Sequence, residues 1–299
     1  MGNVVFMTIA PCPFCGSLGR KSKEHRIPES WKPYFHLVSE VVHSTSIAGE
    51  VQPPRSSSRT QLDFQYGGIC EACNNGWMRE IDEAAMVRLV NLAWAKTTEI
   101  PSSEVLTVMR SVVRAALVTA WGKRRIGGHP EASAEEFYRT RLPPPGTHVF
   151  MGFSDWIFLH AAGHHAVWLV DPDVVGGVHI VAWGLERLYT IVVFPKDGDL
   201  VMAGQTAAAI RRTSKGVLRE VWPHAPGRAI VVPVARSGEL DRAFAARLTQ
   251  ARSLLLNEEP VIPSEDPPNI VARNEGRDPI DLLAEYVRPP TKAPPSLPT

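Results

Sequence analysis

Two cysteine pairs near the N-terminus have the spacing of a metal site. Cys12 and Cys15 form the first Cys-x-x-Cys pair, Cys70 and Cys73 form the second, and the chain contains no other cysteine. The two-residue gap lets both thiolates of a pair face one ion, and two pairs supply the tetrahedral four-thiolate set of a structural Zn²⁺ site. A redox-active Cys-x-x-Cys is the alternative, and two pairs favour zinc. Gly16 after the first pair allows the backbone to turn beneath the metal.

Three neighbouring residues could carry out chemistry. Glu24 and His25 lie between the two pairs, and Asn74 directly follows the last cysteine. Hydrolysis of a phosphodiester needs a base for water and a cation for the phosphate. Histidine titrates near working pH, and carboxylate and amide oxygens suit Mg²⁺ or Mn²⁺. We therefore expect His25 to activate water and Glu24 and Asn74 to bind a divalent ion. Singly, each has a simpler interpretation: Glu24 and His25 as surface loop residues and Asn74 as a helix cap.

A short basic segment surrounds these residues. Its cations are Arg20, Lys21, Lys23 and Arg26, and cations beside a candidate metal site would neutralise nucleic-acid phosphates. A solvated loop is the alternative interpretation for such a run. The formal net charge of the chain is +1, so any contact with nucleic acid has to be local. We expect these four residues to contact DNA.

The order of these motifs resembles the zinc-stapled branch of the HNH, or ββα-metal, endonucleases. The similarity is carried by the two cysteine pairs and by the strings Glu24–Trp31 and Cys73–Met78, and it covers residues 12 to about 83. It implies a treble-clef-like ββα zinc unit with His25 as general base and Asn74 as a metal ligand. Glu24 stands where an aspartate more often binds the metal. His36 and His43 remain open, either as further ligands or as ordinary loop residues.

The periodicity of the chain predicts the elements around these motifs. A helix capped by Asn74 or Asn75 is expected to run to about Lys96, a second spans about 103–123, and a short third starts near Ser133. From about 147 to 233 the apolar period changes to two, which predicts a mostly antiparallel sheet. Its expected strands are 149–153, 156–160, 166–170, 179–183, 188–194, 200–203, 217–222 and 229–234. Residues 196–199 are predicted as a hairpin turn, and 237–256 as a closing helix.

These elements predict an α+β fold in four segments. They are the zinc-stapled HNH-like unit (1–83), a helical connector (84–146), a β-rich domain with its closing helix (147–257) and a proline-rich tail (258–299). Ten of the 26 prolines lie in that tail, which suits an extended arm that docks on another surface. We expect no membrane span and no secretory signal, and therefore a cytoplasmic location.

The functional hypothesis is a metal-dependent HNH-type endonuclease that hydrolyses phosphodiester bonds in DNA, with structural Zn²⁺ and catalytic Mg²⁺ or Mn²⁺. One alternative is a non-catalytic zinc-stapled module that binds nucleic acid or protein. The other is a purely structural zinc unit that braces the β-rich domain.

Overall fold

The chain is a mixed α/β protein with antiparallel sheets and helices, in agreement with the predicted α+β class. Its computed structural model describes residues 10–38, 41–47, 50–57, 65–122, 128–158, 162–171, 174–235, 287–288 and 290–297. The predicted closing helix at 237–256 lies outside these residues.

The two cysteine pairs are joined to one two-stranded sheet. Strand β1 (Lys21–His25) pairs antiparallel with β5 (Gln65–Cys70), with His25 opposite Gln65 and Lys21 opposite Cys70. The segment between these two strands contains a 3₁₀ helix at Glu29–Tyr34 and three strands, which are β2 (Leu37–Val38), β3 (Val41–Ile47) and β4 (Glu50–Ser57). Strands β3 and β4 pair antiparallel with each other.

The helix after the second cysteine pair begins earlier than predicted. A helical turn at Glu71–Cys73 continues through a π-helical turn at Asn74–Met78 into α1 (Arg79–Ala93). Asn74 already has helical backbone angles and its side chain caps no backbone N–H, so the expected N-cap at Asn74 or Asn75 is wrong. A kink at Gly76 (φ −95°, ψ −116°) separates the first turns from α1. Such an interruption leaves no N-cap signature in the sequence.

Two helices predicted from periodicity pack against this unit. Helix α2 (Val105–Gly122) is close to the expected 103–123, and α3 (Glu131–Thr140) is the short third helix. By length and composition alone, α2 is the one helix among the described residues that could cross a membrane, with a mean hydropathy of 1.3. However, 78% of it is buried inside the fold, as in the core helix of a globular protein.

The β-rich region forms a five-stranded sheet. Strands β7 (His148–Phe158), β8 (Ala162–Asp171), β9 (Val174–Pro195) and β10 (Arg219–Trp222) lie in the order β10-β7-β9-β8 and are antiparallel. Strand β9 joins two predicted strands into one of 22 residues. Of the remaining short strands, β6 (Glu99–Ile100) pairs with β11 (Ile230–Val231), β12 (Val234–Ala235) adds parallel to β7, and β13 (Val287–Arg288) pairs with β2.

One predicted strand is a helix. Residues 200–203 were expected to follow a hairpin turn as a strand, but they begin α4 (Leu200–Thr213). The carboxylate of Asp199 accepts a hydrogen bond from the backbone N–H of Met202 at 2.9 Å, so the predicted turn ends in a helix cap. The alanine-rich residues after 203 favour helix and override the short apolar run at the start.

A hydrophobic core connects the cysteine unit to the sheet. Buried residues from Cys12 through α1 and α2 to β9 and Val232 belong to one cluster. A second cluster lies between the sheet and α4. The boundaries of the four predicted segments stay a prediction. Residues of the first three segments pack together in the same hydrophobic cluster.

Candidate metal centre

The four cysteine sulfurs converge on one point. One Sγ atom from each of Cys12, Cys15, Cys70 and Cys73 lies within 4.8 Å of every other. The Cys15–Cys70 pair is 3.5 Å apart and the Cys12–Cys73 pair is 4.0 Å apart. A tetrahedral ion with Zn–S bonds of about 2.3 Å needs sulfurs roughly 3.8 Å apart. The cluster could therefore hold a metal ion such as zinc, as the spacing predicted.

Backbone hydrogen bonds shape the first cysteine pair. The N–H of Gly16 donates to the carbonyl oxygen of Cys12 at 2.9 Å, and the N–H of Cys12 donates to Ser17 at 2.9 Å. Gly16 has φ 68°, a left-handed conformation that glycine adopts without steric penalty. The N–H of Cys70 also points at the Cys12 sulfur, 3.5 Å away. Amide donors directed at a thiolate are what the expected metal-bound form requires.

Crowding of the sulfurs perturbs their protonation. The contact between the Cys12 and Cys73 sulfurs lowers the pKa of Cys12 to about 4 and raises the pKa of Cys73. Burial raises the pKa of Cys15. Four thiols this close cannot all lose their protons unless a cation offsets the negative charge. The donor set and its electrostatics both suit a divalent ion.

A buried arginine from α2 connects the helix to β1. The Nη1 atom of Arg114 donates to the Glu24 carboxylate at 2.9 Å and to the carbonyl oxygen of His25 at 2.8 Å. Its Nη2 atom donates to the carbonyl of Arg26 and to Asp82, both at 2.8 Å, and Nε reaches Asp82 at 3.2 Å. These contacts engage all three guanidinium nitrogens, and Arg114 is 0% exposed. The buried charge is therefore fully paired.

Glu24 belongs to this buried network. Its side chain is 6% exposed and its Oε1 atom binds Arg114, so this carboxylate already has a cationic partner. The expected role of Glu24 as a ligand of the catalytic divalent ion stays a prediction. Burial raises the pKa of Glu24 to about 7, against the opposing effect of Arg114, and the nearby Asp82 raises it further. Neighbouring residues of a strand face opposite sides, so Glu24 faces the core where Lys23 and His25 do not.

The expected cationic surface is smaller than the sequence indicated. Arg20 and Lys23 are exposed and Lys21 is half-buried, but Arg26 is only 4% exposed. Burial lowers the pKa of Arg26, and its Nε and Nη2 atoms have no hydrogen-bond partner in the described part of the chain. Because its side chain lies inside the fold, Arg26 is not available to a nucleic acid on this surface. Arg20 forms a salt bridge of 3.1 Å with Glu71.

The exposed face of β1 carries the expected base. Lys21, Lys23 and His25 alternate along the strand and so share one face. The side-chain amide nitrogen of Gln65, on the facing strand, lies 3.1 Å from Nε2 of His25. With that amide as donor, Nε2 of His25 is the acceptor of the bond.

Asn74 contacts the same strand. Its side-chain nitrogen donates to the Ser22 hydroxyl at 2.9 Å, which leaves the amide oxygen as an acceptor. Asn74 is half-buried and directly follows a cysteine of the cluster. The thiolate centre therefore fixes the position of Asn74 relative to β1.

Of the two histidines left open, His36 has a specific partner. Its Nδ1 atom lies 2.9 Å from the Glu186 carboxylate, and its backbone N–H donates to the same group at 2.6 Å. His36 thus ties the cysteine unit to β9. The side chain of His43 lies outside the described residues.

Sequence reasoning missed the roles of Arg114 and Asp82. Asp82 is 4% exposed and, besides its bonds to Arg114, accepts a hydrogen bond from Ser111 at 2.7 Å. The available signal was Arg114 itself, a charge inside the apolar run Val112–Leu117 of a helix. Such a charge needs a buried partner of opposite sign.

No protein-family model, curated protein or solved structure matches the chain.

Proposed function

We propose that this protein is a metal-dependent endonuclease of HNH type that hydrolyses phosphodiester bonds in DNA. Its zinc-bound cysteine cluster would be the frame of a treble-clef-like unit. The observation that carries the proposal is the arrangement along β1: His25 lies on the partly exposed face, and Asn74 is bonded to Ser22, whose side chain is on the opposite face of the same strand. A base and an oxygen donor are thus held by one strand.

Ser22 and His25 are three residues apart, about 10 Å at the usual rise per residue of a strand, and this odd spacing puts their side chains on opposite faces of β1. The ion and the base would therefore approach the substrate from opposite sides of the strand. Mg²⁺ keeps several of its waters and takes further ligands from the substrate phosphate. Among the described residues, the amide oxygen of Asn74 is a hard donor for such an ion. A divalent ion there would stabilise the charge that develops on the phosphate.

His25 would act as the general base. In the described arrangement Gln65 occupies its Nε2 lone pair. A water in place of that amide would be positioned to lose a proton to the neutral ring. The exposed Lys23 and its neighbour Lys21 would hold the phosphates on either side of the scissile one.

Glu24 takes a different role from the one its sequence position suggested. Its carboxylate binds Arg114, which also binds the carbonyl of His25, so Glu24 would orient the strand end that carries the base. Of the proposed site residues, the neutral amide of Asn74 then remains to bind the ion. For that reason the second candidate function is a non-catalytic zinc-stapled module that binds nucleic acid through Lys21 and Lys23.

Plasmid nicking by the zinc-loaded protein in Mg²⁺ or Mn²⁺ separates the two functions. We expect His25→Ala and Asn74→Ala to lower the cleavage rate at least about 100-fold, which is the usual contribution of a general base. Asn75→Ala is the matched control, because Asn75 is the exposed neighbour of Asn74. Cleavage that survives both site variants would refute the assignment. Absence of cleavage with either metal, combined with DNA binding that is lost in Lys21→Glu/Lys23→Glu, would establish the binding module instead.

A further inference from the structure

The C-terminal proline-rich segment lies in a groove of the same chain. Strand β13 pairs with β2, with Val287 opposite Val38 and Arg288 opposite Leu37. Beyond it, residues 290–297 pass over the end of α1 and the 3₁₀ helix. We name this surface the Tyr34–Trp94 groove; it is formed by Pro33, Tyr34, Asn91, Trp94 and Lys96.

The groove binds the backbone of the segment. The Asn91 side-chain amide donates to the carbonyl oxygen of Pro295 at 2.8 Å, and the N–H of Lys292 donates to the carbonyl of Pro33 at 2.9 Å. Neither bond depends on a side chain of the segment. An extended proline-rich chain makes no internal hydrogen bonds, so its carbonyl oxygens are free acceptors, and it loses little entropy when it binds. These contacts recognise an extended backbone rather than a particular sequence of side chains.

Aromatic side chains form the wall of the groove and are themselves fixed. The indole N–H of Trp94 donates to the carbonyl of Tyr34 at 2.8 Å, and the ring lies 5.1 Å from that of His36, which Glu186 holds. The Lys292 ammonium sits 5.8 Å from the centre of the Tyr34 ring. Aromatic walls with a few directed polar groups are the usual means of binding polyproline segments.

The segment does not fill the groove. An open cleft of about 330 Å³ remains between Trp94, Lys96 and residues 290–294. Pro290, Pro294 and Pro295 are half-buried, whereas Thr291, Lys292 and Ala293 are exposed. The segment is therefore only partly buried against the wall, and the open cleft leaves part of the wall without packing contacts.

We propose that the Tyr34–Trp94 groove is a binding site for proline-rich peptides, which this chain partly occupies with its own residues 290–297. A proline-rich segment of another protein exchanges with that internal ligand. Because the internal ligand has an effective concentration on the order of millimolar, it lowers the apparent affinity for outside peptides. The groove would thus respond to partners that present several proline-rich segments or are locally concentrated.

The first test uses a chain that ends at Arg288 and a fluorescent peptide of residues 289–299. We expect the shortened chain to bind the peptide saturably, as measured by fluorescence anisotropy. The full chain should bind the peptide with at least about tenfold lower affinity, because its own segment competes. Asn91→Ala in the shortened chain should weaken binding about threefold to tenfold, the value of one net hydrogen bond. A peptide of equal length with alanine at both Pro294 and Pro295 is the matched control and should bind more weakly. No saturation by about 1 mM peptide, in a shortened chain with full zinc content, would overturn the proposal.

The second test leaves the full chain intact, in case shortening disturbs the fold. Hydrogen exchange of the Lys292 amide reports directly on its bond to Pro33. Excess peptide should accelerate that exchange severalfold while the amide of Ile69, inside β5, stays protected. If the hydrogen-exchange rate of the Lys292 amide stays unchanged in excess peptide, the added peptide does not displace the internal ligand and the proposal is wrong.

Discussion

Arg114 donates a hydrogen bond of 2.8 Å to the backbone carbonyl oxygen of His25. The two residues are 89 positions apart, and the bond links the middle of a core helix to the strand end that carries the proposed base. The same guanidinium binds Glu24 and Asp82, so strand, helix and carboxylates form one buried unit. The orientation of His25 therefore depends on a residue that is remote in sequence and inaccessible to any substrate.

Loss of Arg114 should destabilise the protein strongly. Arg114→Met leaves Glu24 and Asp82 as buried carboxylates without a counter-charge, which typically costs about 3–5 kcal/mol of the free energy of unfolding. Arg110→Met on the same helix is the control; Arg110 donates one bond to the carbonyl of Arg141 at 2.8 Å and should cost about 1 kcal/mol. Urea unfolding measures the free energy of unfolding of both variants.

The same unit provides a rescue experiment. Adding Glu24→Gln and Asp82→Asn to Arg114→Met removes the unpaired charges and should recover part of the lost stability. If Arg114→Met costs no more than the Arg110 control, the carboxylates do not depend on the guanidinium.

Glu24 should make stability depend on pH. Burial raises its pKa from 4.5 to about 7, so between these values the folded state binds a proton that the unfolded state has lost. The stabilising contribution of Glu24 to the free energy of unfolding is therefore fully present below about pH 4.5, and it is lost as the pH rises through about 7. The full effect is about 3 kcal/mol.

Comparison with Glu24→Gln isolates this effect from the titration of other groups. The difference in unfolding free energy, wild type minus variant, should become less favourable to the wild type as the pH rises from about 5 to 7.5. Glu80→Gln, at an exposed position of α1, should show a flat difference. A difference that grows with pH would mean that attraction to Arg114 outweighs the desolvation of Glu24.

The cysteine centre was predictable because its information is local. Each Cys-x-x-Cys pair carries its own geometry, and the turn at Gly16 follows from one glycine. Helix α2 was predictable because an apolar pattern over 18 residues leaves little choice of structure. By contrast, α4 was misread, since its first four residues suit either structure and the later alanines decide.

The buried ion network was not predictable from local pattern. Glu24, Asp82 and Arg114 each lie in a different element, and each alone has a plausible surface role. Only the packing of α2 against β1 brings the three together. The contacts of residues 290–297 were not predictable from the sequence either. A proline-rich composition predicts an extended chain but does not specify the surface on which it lies.

Removal of zinc should unfold the N-terminal unit. The purified protein should contain one zinc per chain, and Cys12→Ser should lose it, because the substitution leaves three of the four clustered sulfurs to bind the ion. A loss of about 5 kcal/mol would lower Tm by at least about 10 °C in a chain of this size. Ser30→Ala, at an exposed position of the same unit, should keep both zinc and Tm. Retention of one zinc by Cys12→Ser, measured by inductively coupled plasma analysis, would refute the four-thiolate site.

Two glycines in helices should respond oppositely to alanine. A Cβ atom on Gly122, at the end of α2, would lie 1.9 Å from the Tyr66 ring, whereas one on Gly204 in α4 would meet no atom within 4 Å. Because Tyr66 packs against the core, its ring cannot move aside freely, and Gly122→Ala should cost about 1–3 kcal/mol. Gly204→Ala should instead stabilise by about 0.5–1 kcal/mol, since it removes backbone freedom from the unfolded chain. Urea unfolding of the two variants checks both signs. A neutral Gly122→Ala would mean that α2 does not approach β5 as closely as the Tyr66 contact requires.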